Sequence, residues 1–268
     1  GLYTAYTGMI NEQNRMDVLT NNLANADTNG FKKEGATSQS FDSVLAYKIK
    51  DVTEGYHTAR RIGVNNPGVK IGEGYTDFSE GPIKGTGNPY DLALTDTGFF
   101  AVEFTNKAGD TSVKYTRDGN FTLDQQGNLV TQDGDAVLDT NGRAIKIDPL
   151  KETEINSSGQ IIQNGSAVAT IQVTDFEDYN YLERYGENYF QPIDGAQEKD
   201  AAAEVRAGYL ETSNISVVSE MVNMITVSRA YESNQKVITT YDGTLDIAAN
   251  QVLRSEERFS RNAETDRV

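Results

Sequence analysis

Residues 216–253 read SVVSEMVNMITVSRAYESNQKVITTYDGTLDIAANQVL, and this run decides the fold. Val217, Met224, Tyr231, Ile238, Leu245 and Val252 recur at intervals of seven, and Val227, Tyr241 and Ala248 follow three residues after three of them. That repeat is the a/d seam of a heptad helix, with Ser, Asn, Gln, Thr, Lys, Glu and Arg at most positions between. Such a helix spans roughly 55 Å at about 1.5 Å per residue. Its apolar stripe is too narrow for burial in a compact core, so it needs another helix beside it.

The other end of the chain answers it. Leu2, Met9, Met16 and Leu23 are again seven apart, with Ala5, Leu19 and Ala26 three residues later. The spacing predicts a helix from Leu2 to about Ala24, stopped near Asn25 by Ala26-Asp27-Thr28-Asn29-Gly30, because Asn and Gly tolerate positive φ. Two such helices can pair with each other or with those of another subunit, and the spacing allows both.

Between them the pattern changes twice. Phe41, Val44, Leu45 and Ile49 fit a short helical continuation, after which glycines and prolines from Gly55 to Gly87 predict irregular chain with short strands. From Tyr90 to Val173 apolar runs such as Leu92–Leu94, Phe99–Phe104 and Phe121–Leu123 alternate with Asp/Asn-Gly turns, the pattern of an antiparallel β domain. Asp194–Glu204 reads as a polar linker, and Arg254–Val268 as a frayed, charged tail. The expected fold class is therefore α+β. Long coiled-coil-like terminal helices (1–45 and 205–253) form one unit; a Gly-rich connector (46–88), an inserted antiparallel β domain (89–204) and the tail (254–268) make up the rest.

Composition narrows the function. With 24 Lys plus Arg against 40 Asp plus Glu, the 268 residues carry a formal charge of -16, which disfavours nucleic acid and anionic membrane surfaces. No apolar run reaches the ~20 residues of a membrane span, and no signal-peptide core opens the sequence. Cysteine is absent and His57 is the single histidine, so thiol chemistry, Ser-His-Asp, Cys-His and HExxH designs have no support. His57 reads as a loop residue. Asp133-Gly134-Asp135 and Asp139-Thr140-Asn141-Gly142 lack the calcium-loop ladder and its terminal Glu, so they read as hairpin turns. Neither Gly72-Glu73-Gly74 nor Gly85-Thr86-Gly87 opens a strand-to-helix phosphate cradle. No catalytic, cofactor-binding or metal-ligating residue is expected, and no cofactor.

Two stretches carry a resemblance. Thr20-Asn21-Asn22-Leu23-Ala24-Asn25-Ala26-Asp27-Thr28-Asn29-Gly30-Phe31-Lys32 resembles the NNLAN-x-x-T-x-GFK signature of bacterial flagellar rod and hook proteins. Gly208-Tyr209-Leu210-Glu211-Thr212-Ser213-Asn214-Ile215, Glu220–Ile225 with Asn223 and Met224, and Arg229-Ala230-Tyr231-Glu232 are similar to the C-terminus of that family, most like its distal rod members. Gly98-Phe99-Phe100, Tyr115-Thr116-Arg117-Asp118-Gly119 and Gly186–Phe190 look like its β domain. The resemblance implies a subunit of the hollow shaft in the flagellar basal body. Its partners would be copies of itself, neighbouring rod and hook subunits, and the flagellar type III export apparatus. It would be exported without a cleaved signal peptide, with no membrane insertion.

Under this reading Leu2, Met9, Met16, Leu19 and Leu23 supply one packing seam. Val217, Met224, Val227, Tyr231, Ile238, Tyr241, Leu245 and Val252 supply the other, and Asn21, Asn22, Asn223 and Arg229 fix register. Gly243 inside the C-terminal helix costs about 1 kcal/mol relative to Ala and could permit a bend. The Gly-rich stretch and the tail depart from the family pattern and leave distal rod, proximal rod, hook and a Gram-positive rod-hook variant open. A peptidoglycan hydrolase and a secreted β-rich adhesin are the readings from other classes.

Overall fold

The computed structural model describes residues 2–41, 44–48, 60–65, 68–107 and 109–265, with side chains at 2–41, 68–107 and 109–250. It is α+β: a helix α1 (Leu2–Ala24), antiparallel β structure, and a helix α2 (Val217–Thr265). The chain forms two compact units. One holds residues 1–20, 35–74 and 221–268; the other holds 21–34 and 75–220.

In the first unit the strand Glu34–Ser40 pairs with Val69–Thr76, and Val44–Lys48 pairs antiparallel with Arg60–Asn65. Val44 and Leu45 therefore belong to a strand rather than to a short helix, since a facing strand is present to take up their backbone groups. Ile49 and His57 lie outside the described residues. Buried Asn11 ties α1 to the sheet, its Nδ2 donating to Ser38 Oγ at 3.0 Å. Gly8 faces the Asn234 side chain of α2, where a Cβ would stand 3.0 Å from Nδ2 and require that side chain to shift by a few tenths of an ångström.

The helix α2 is unbroken at Gly243 and runs past Leu253 to Thr265, so residues 254–265 extend the helix rather than fray. Glu220, Met224, Val227, Tyr231, Asn234 and Ile238, alternating by four and three, are all buried or half-buried, as are Ser228 and Ala230 beside them. That is heptad spacing, but the face includes a carboxylate and an amide and fades beyond Ile238. Among the described residues the apolar seam positions of the two helices are not gathered into a continuous coiled-coil seam.

The second unit is the β structure. Phe99–Thr105 sits centrally in a nine-stranded sheet between Thr111–Thr116 and Ala136–Val137, with Val173–Phe176 also paired to it. Both of its faces are buried. Phe100 and Val102 point into one apolar cluster with Leu94, Phe121, Leu129 and Val137, while Phe99 and Ala101 join Tyr115, Leu138, Phe176 and Phe190 on the other side. Alternation along one strand serves two cores. Glycines 109, 127, 134, 142 and 159 take positive φ at the expected turns.

Two boundaries differ from the sequence expectation of 45, 88 and 204. Ile83–Gly85 pairs with Tyr209–Glu211, and Leu92–Thr95 pairs with Glu204–Ala207. Part of the connector and residues 205–212 thus belong with the β structure, because their backbone hydrogen bonds are made there. Glu198–Asp200 is likewise a strand against Val173–Phe176, so 194–204 is not a free linker.

Candidate functional site

Residues 21–32 of the N-terminal signature and 208–220 of the C-terminal one converge within the second unit. Asn22, fully buried, donates from Nδ2 to the Glu34 carbonyl (2.8 Å) and accepts from the Glu34 N–H (2.9 Å), closing the turn that follows α1. Asn25 Nδ2 donates to the Asn21 carbonyl and Thr28 Oγ1 to Asn25 Oδ1, which satisfies the helix end. Gly30, at φ 67°, lies against the Arg117–Asp118 backbone and donates its N–H to the Glu211 carbonyl at 2.8 Å. Phe31 is buried beneath Arg184, whose guanidinium carbon stands 4.3 Å from the ring centre.

At the centre is an ionic cluster. Lys32 Nζ donates to Glu211 Oε1 and to the Ser79 carbonyl, each at 2.7 Å. Arg117 Nη1 donates to Glu211 Oε2 at 3.3 Å and Nη2 to the Asp96 carbonyl at 2.6 Å. The Gly81 N–H is the third donor to the Glu211 carboxylate, reaching Oε1 at 2.8 Å. The side chains of Lys32 and Glu211 are each 1% exposed and that of Arg117 is 3%. Burial holds the Lys32 ammonium below its ordinary pKa, with the adjoining Glu211 carboxylate acting in the opposite direction. Beside the cluster, Asn214 accepts from the Lys33 N–H (2.8 Å) and donates to the Asp77 carbonyl (2.8 Å). Lys33 Nζ reaches the buried Glu220 carboxylate at 2.6 Å.

The packing residues lie elsewhere and are not gathered into one core. Val227 is buried; Met9, Met16, Leu19, Leu23, Met224, Tyr231 and Ile238 are half-buried; Leu2, Val217, Tyr241 and Leu245 are exposed. The side chain of Val252 lies outside the described residues. Asn21, Asn223 and Arg229 face solvent and Ser213 is buried, whereas Asn22 is an internal hydrogen-bonding residue rather than a register residue on an outer face.

A search at intervals of seven passes over a second stripe. Val218, Met221, Val222 and Ile225 are 73%, 49%, 57% and 53% exposed, and their i, i+3, i+4, i+7 spacing puts them on one face of α2. Tyr3, Tyr6 and Ile10, with Leu2, form a comparable exposed stripe on α1. The spacing was present in the sequence; only the structure shows that the described residues leave these side chains exposed.

Among the described residues no three His, Cys, Asp or Glu side chains approach closely enough to hold a metal ion. Also among them, no helix is long and apolar enough to cross a membrane. A cavity of about 300 Å³ in the β structure is lined by Asp118, Asp133, Glu187, Tyr185 and Tyr189 among others. Burial pushes the Asp118 carboxyl up to about 6, against the pull of hydrogen bonds from Asn120 and Asn188. Asp139, in a turn, goes the other way to about 2, led by the Arg143 N–H that it accepts.

Residues 206–252 match the family described as flagellar basal body rod FlgEFG protein C-terminal. Residues 93–163 match flagellar hook protein FlgE/F/G D1 domain, and residues 2–32 match flagella basal body rod protein. The rod protein FlgG of Bacillus subtilis (strain 168) is 32% identical over 268 residues, covering 93% of this chain and 97% of that one. The chain belongs to the flagellar basal-body rod protein family. The hook-basal body complex protein FlhO of the same organism is 31% identical over 266 residues, covering 94% of this chain and 98% of its own length. The rod protein FlgF of Caulobacter vibrioides is 32% identical over 255 residues, covering 94% and 96%. In this rod-family chain the ionic cluster draws one member from each matched segment: Lys32 from the first, Arg117 from the second and Glu211 from the third.

Proposed function

We propose that this chain is a structural subunit of the distal flagellar rod, stacking helically through its terminal helices into the hollow shaft that passes torque from motor to hook. Its partners are further copies of itself and the neighbouring rod and hook subunits. It reaches the basal body, outside the cytoplasmic membrane, through the flagellar export apparatus. The observation that carries the reading is the uncovered stripe Val218, Met221, Val222 and Ile225, beside the half-buried seam of Met224, Tyr231 and Ile238. An apolar face of this kind invites another helix, and unlike surfaces repeated from copy to copy generate open helical filaments. Coiled-coil pairing of Leu2, Met9, Met16, Leu19 and Leu23 with the α2 seam of a neighbour belongs to the same proposal.

Burying a large apolar side chain fully contributes about 1.5–3 kcal/mol. Four chains already half-covered would add roughly 1 kcal/mol each on assembly, together on the order of a thousandfold in critical concentration. Replacing Val218, Met221, Val222 and Ile225 by Ser should leave the unfolding midpoint of the monomer within experimental scatter and abolish filament growth and motility. Normal swimming by that variant would refute the assembly surface. Replacing half-buried Met224 and Ile238 by Asp should block assembly too, but with loss of monomer stability.

Similar identity toward relatives named FlhO and FlgF supports a second reading, another rod paralogue of the same shaft. Complementation of strains lacking each rod protein separates the two readings. Rescue of the distal-rod deletion alone favours the first.

A further inference from the structure

The cluster of Lys32, Arg117 and Glu211 plays no part in the assembly surface, yet it is the most deeply buried group of charges described. Its members come from far apart in sequence: Lys32 and Glu211 are separated by 179 residues. One carboxylate serves two cations, and both of its oxygens are occupied. Arg117 Nε has no hydrogen-bond partner, so even with Glu211 in place one buried donor of the cluster goes without an acceptor. Burying an ammonium and a guanidinium without their counter-ion is strongly unfavourable, whereas leaving them in water costs nothing. Before Glu211 is in place, Lys32 and Arg117 therefore cannot both be buried, and the segment that carries Lys32 has no stable docked position.

We propose that Glu211 is a closing keystone: it makes docking of the N-terminal segment 21–34 conditional on arrival of the C-terminal segment 205–220, so that only a complete chain closes its β unit. Arg184 packs on Phe31 and pairs with Glu34 from within the β structure, but two backbone contacts beside Lys32 agree with this order. Gly30 N–H donates to the Glu211 carbonyl and Lys33 N–H to Asn214 Oδ1, so the backbone on both sides of Lys32 is also held by the late-arriving segment. The first helix consequently stays tethered to an open segment in any chain that lacks residues beyond 204. This device is independent of which rod paralogue the chain is.

The test is hydrogen exchange on the full-length chain, read separately at 21–34 and at the central strands Phe99–Thr116. In Glu211→Gln, which keeps shape and removes charge, exchange at 21–34 should accelerate on the order of a hundredfold or more while Phe99–Thr116 stays protected. Lys32→Met combined with Glu211→Gln removes one stranded cation and should restore much of the protection. Unchanged protection at 21–34 in Glu211→Gln would overturn the proposal. So would simultaneous loss across the whole unit with no recovery in the double variant, because hydrogen bonding to Gly81 rather than charge would then be the cause. Should Glu211→Gln fail to fold, the double variant decides alone. Recovery of a folded sheet supports the keystone and persistent unfolding rejects it.

Discussion

Gly30→Ala isolates the fit of the N-terminal signature against the β structure. Gly30 sits at φ 67°, and a Cβ built there lies 2.4 Å from both Arg117 C and Asp118 N and 2.7 Å from the Arg117 carbonyl oxygen. Carbon atoms in ordinary contact stand about 3.5–4.0 Å apart, so the two backbones must separate by roughly 1 Å or more. No flexible side chain can yield in their place. The left-handed conformation adds about 1–2 kcal/mol for alanine, and separation weakens the Gly30 N–H to Glu211 hydrogen bond, worth about 1 kcal/mol. Displacing the adjoining Lys32 from Glu211 raises the total to about 3–5 kcal/mol. Urea unfolding followed by tyrosine fluorescence gives the difference directly. Gly30→Asn is the control, since asparagine accepts positive φ but carries the same Cβ. If close approach dominates, Asn is nearly as damaging as Ala. A loss below about 1 kcal/mol for Ala, or near-complete recovery with Asn, would refute the argument.

The opposite sign is expected at Gly243, where an added Cβ meets nothing within 4 Å and α2 is continuous. Gly243→Ala should stabilise the helical unit by up to about 1 kcal/mol, seen as a raised midpoint in helical circular dichroism. Asp118 gives a pH signature. Its carboxyl is raised to about 6 in the fold from an ordinary 3.8, so its contribution to stability is fully present below about 3.8 and is lost as pH rises through about 6. Asp118→Asn should therefore flatten the difference between pH 4 and pH 7, by at most about 3 kcal/mol, in paired urea titrations. Equal pH slopes for the two proteins would show that the carboxyl is not desolvated.

The parts legible in the sequence are those fixed by short-range periodicity. The extent of α1 follows from its heptads and from the Asn-rich stop, because helix propagation and capping involve only neighbours along the chain. The strand from Phe99 and the Asp/Asn-Gly turns follow from alternation and from the few residues that accept positive φ. Even the uncovered stripe at Val218, Met221, Val222 and Ile225 was written in the spacing, although a search for strict sevens passed over it. The end of α2 was not legible, since a run of charged residues is compatible with both a frayed tail and a solvated helix.

Long-range pairing was a different matter. Val44–Lys48 became a strand because Arg60–Asn65 lies opposite it, and 205–211 joined the β structure because Leu92–Thr95 and Ile83–Gly85 supply its hydrogen bonds. The resemblance singled out Lys32 and Glu211, but nothing local marks a lysine or a glutamate as buried, since these side chains are ordinarily exposed. By itself the sequence determined a helix at each end, the β-rich middle and the family. Only the tertiary structure decided that the family's terminal signatures meet at one buried carboxylate. Charge burial depends on which partner arrives from elsewhere in the chain, and that is a property of the fold rather than of any window of residues.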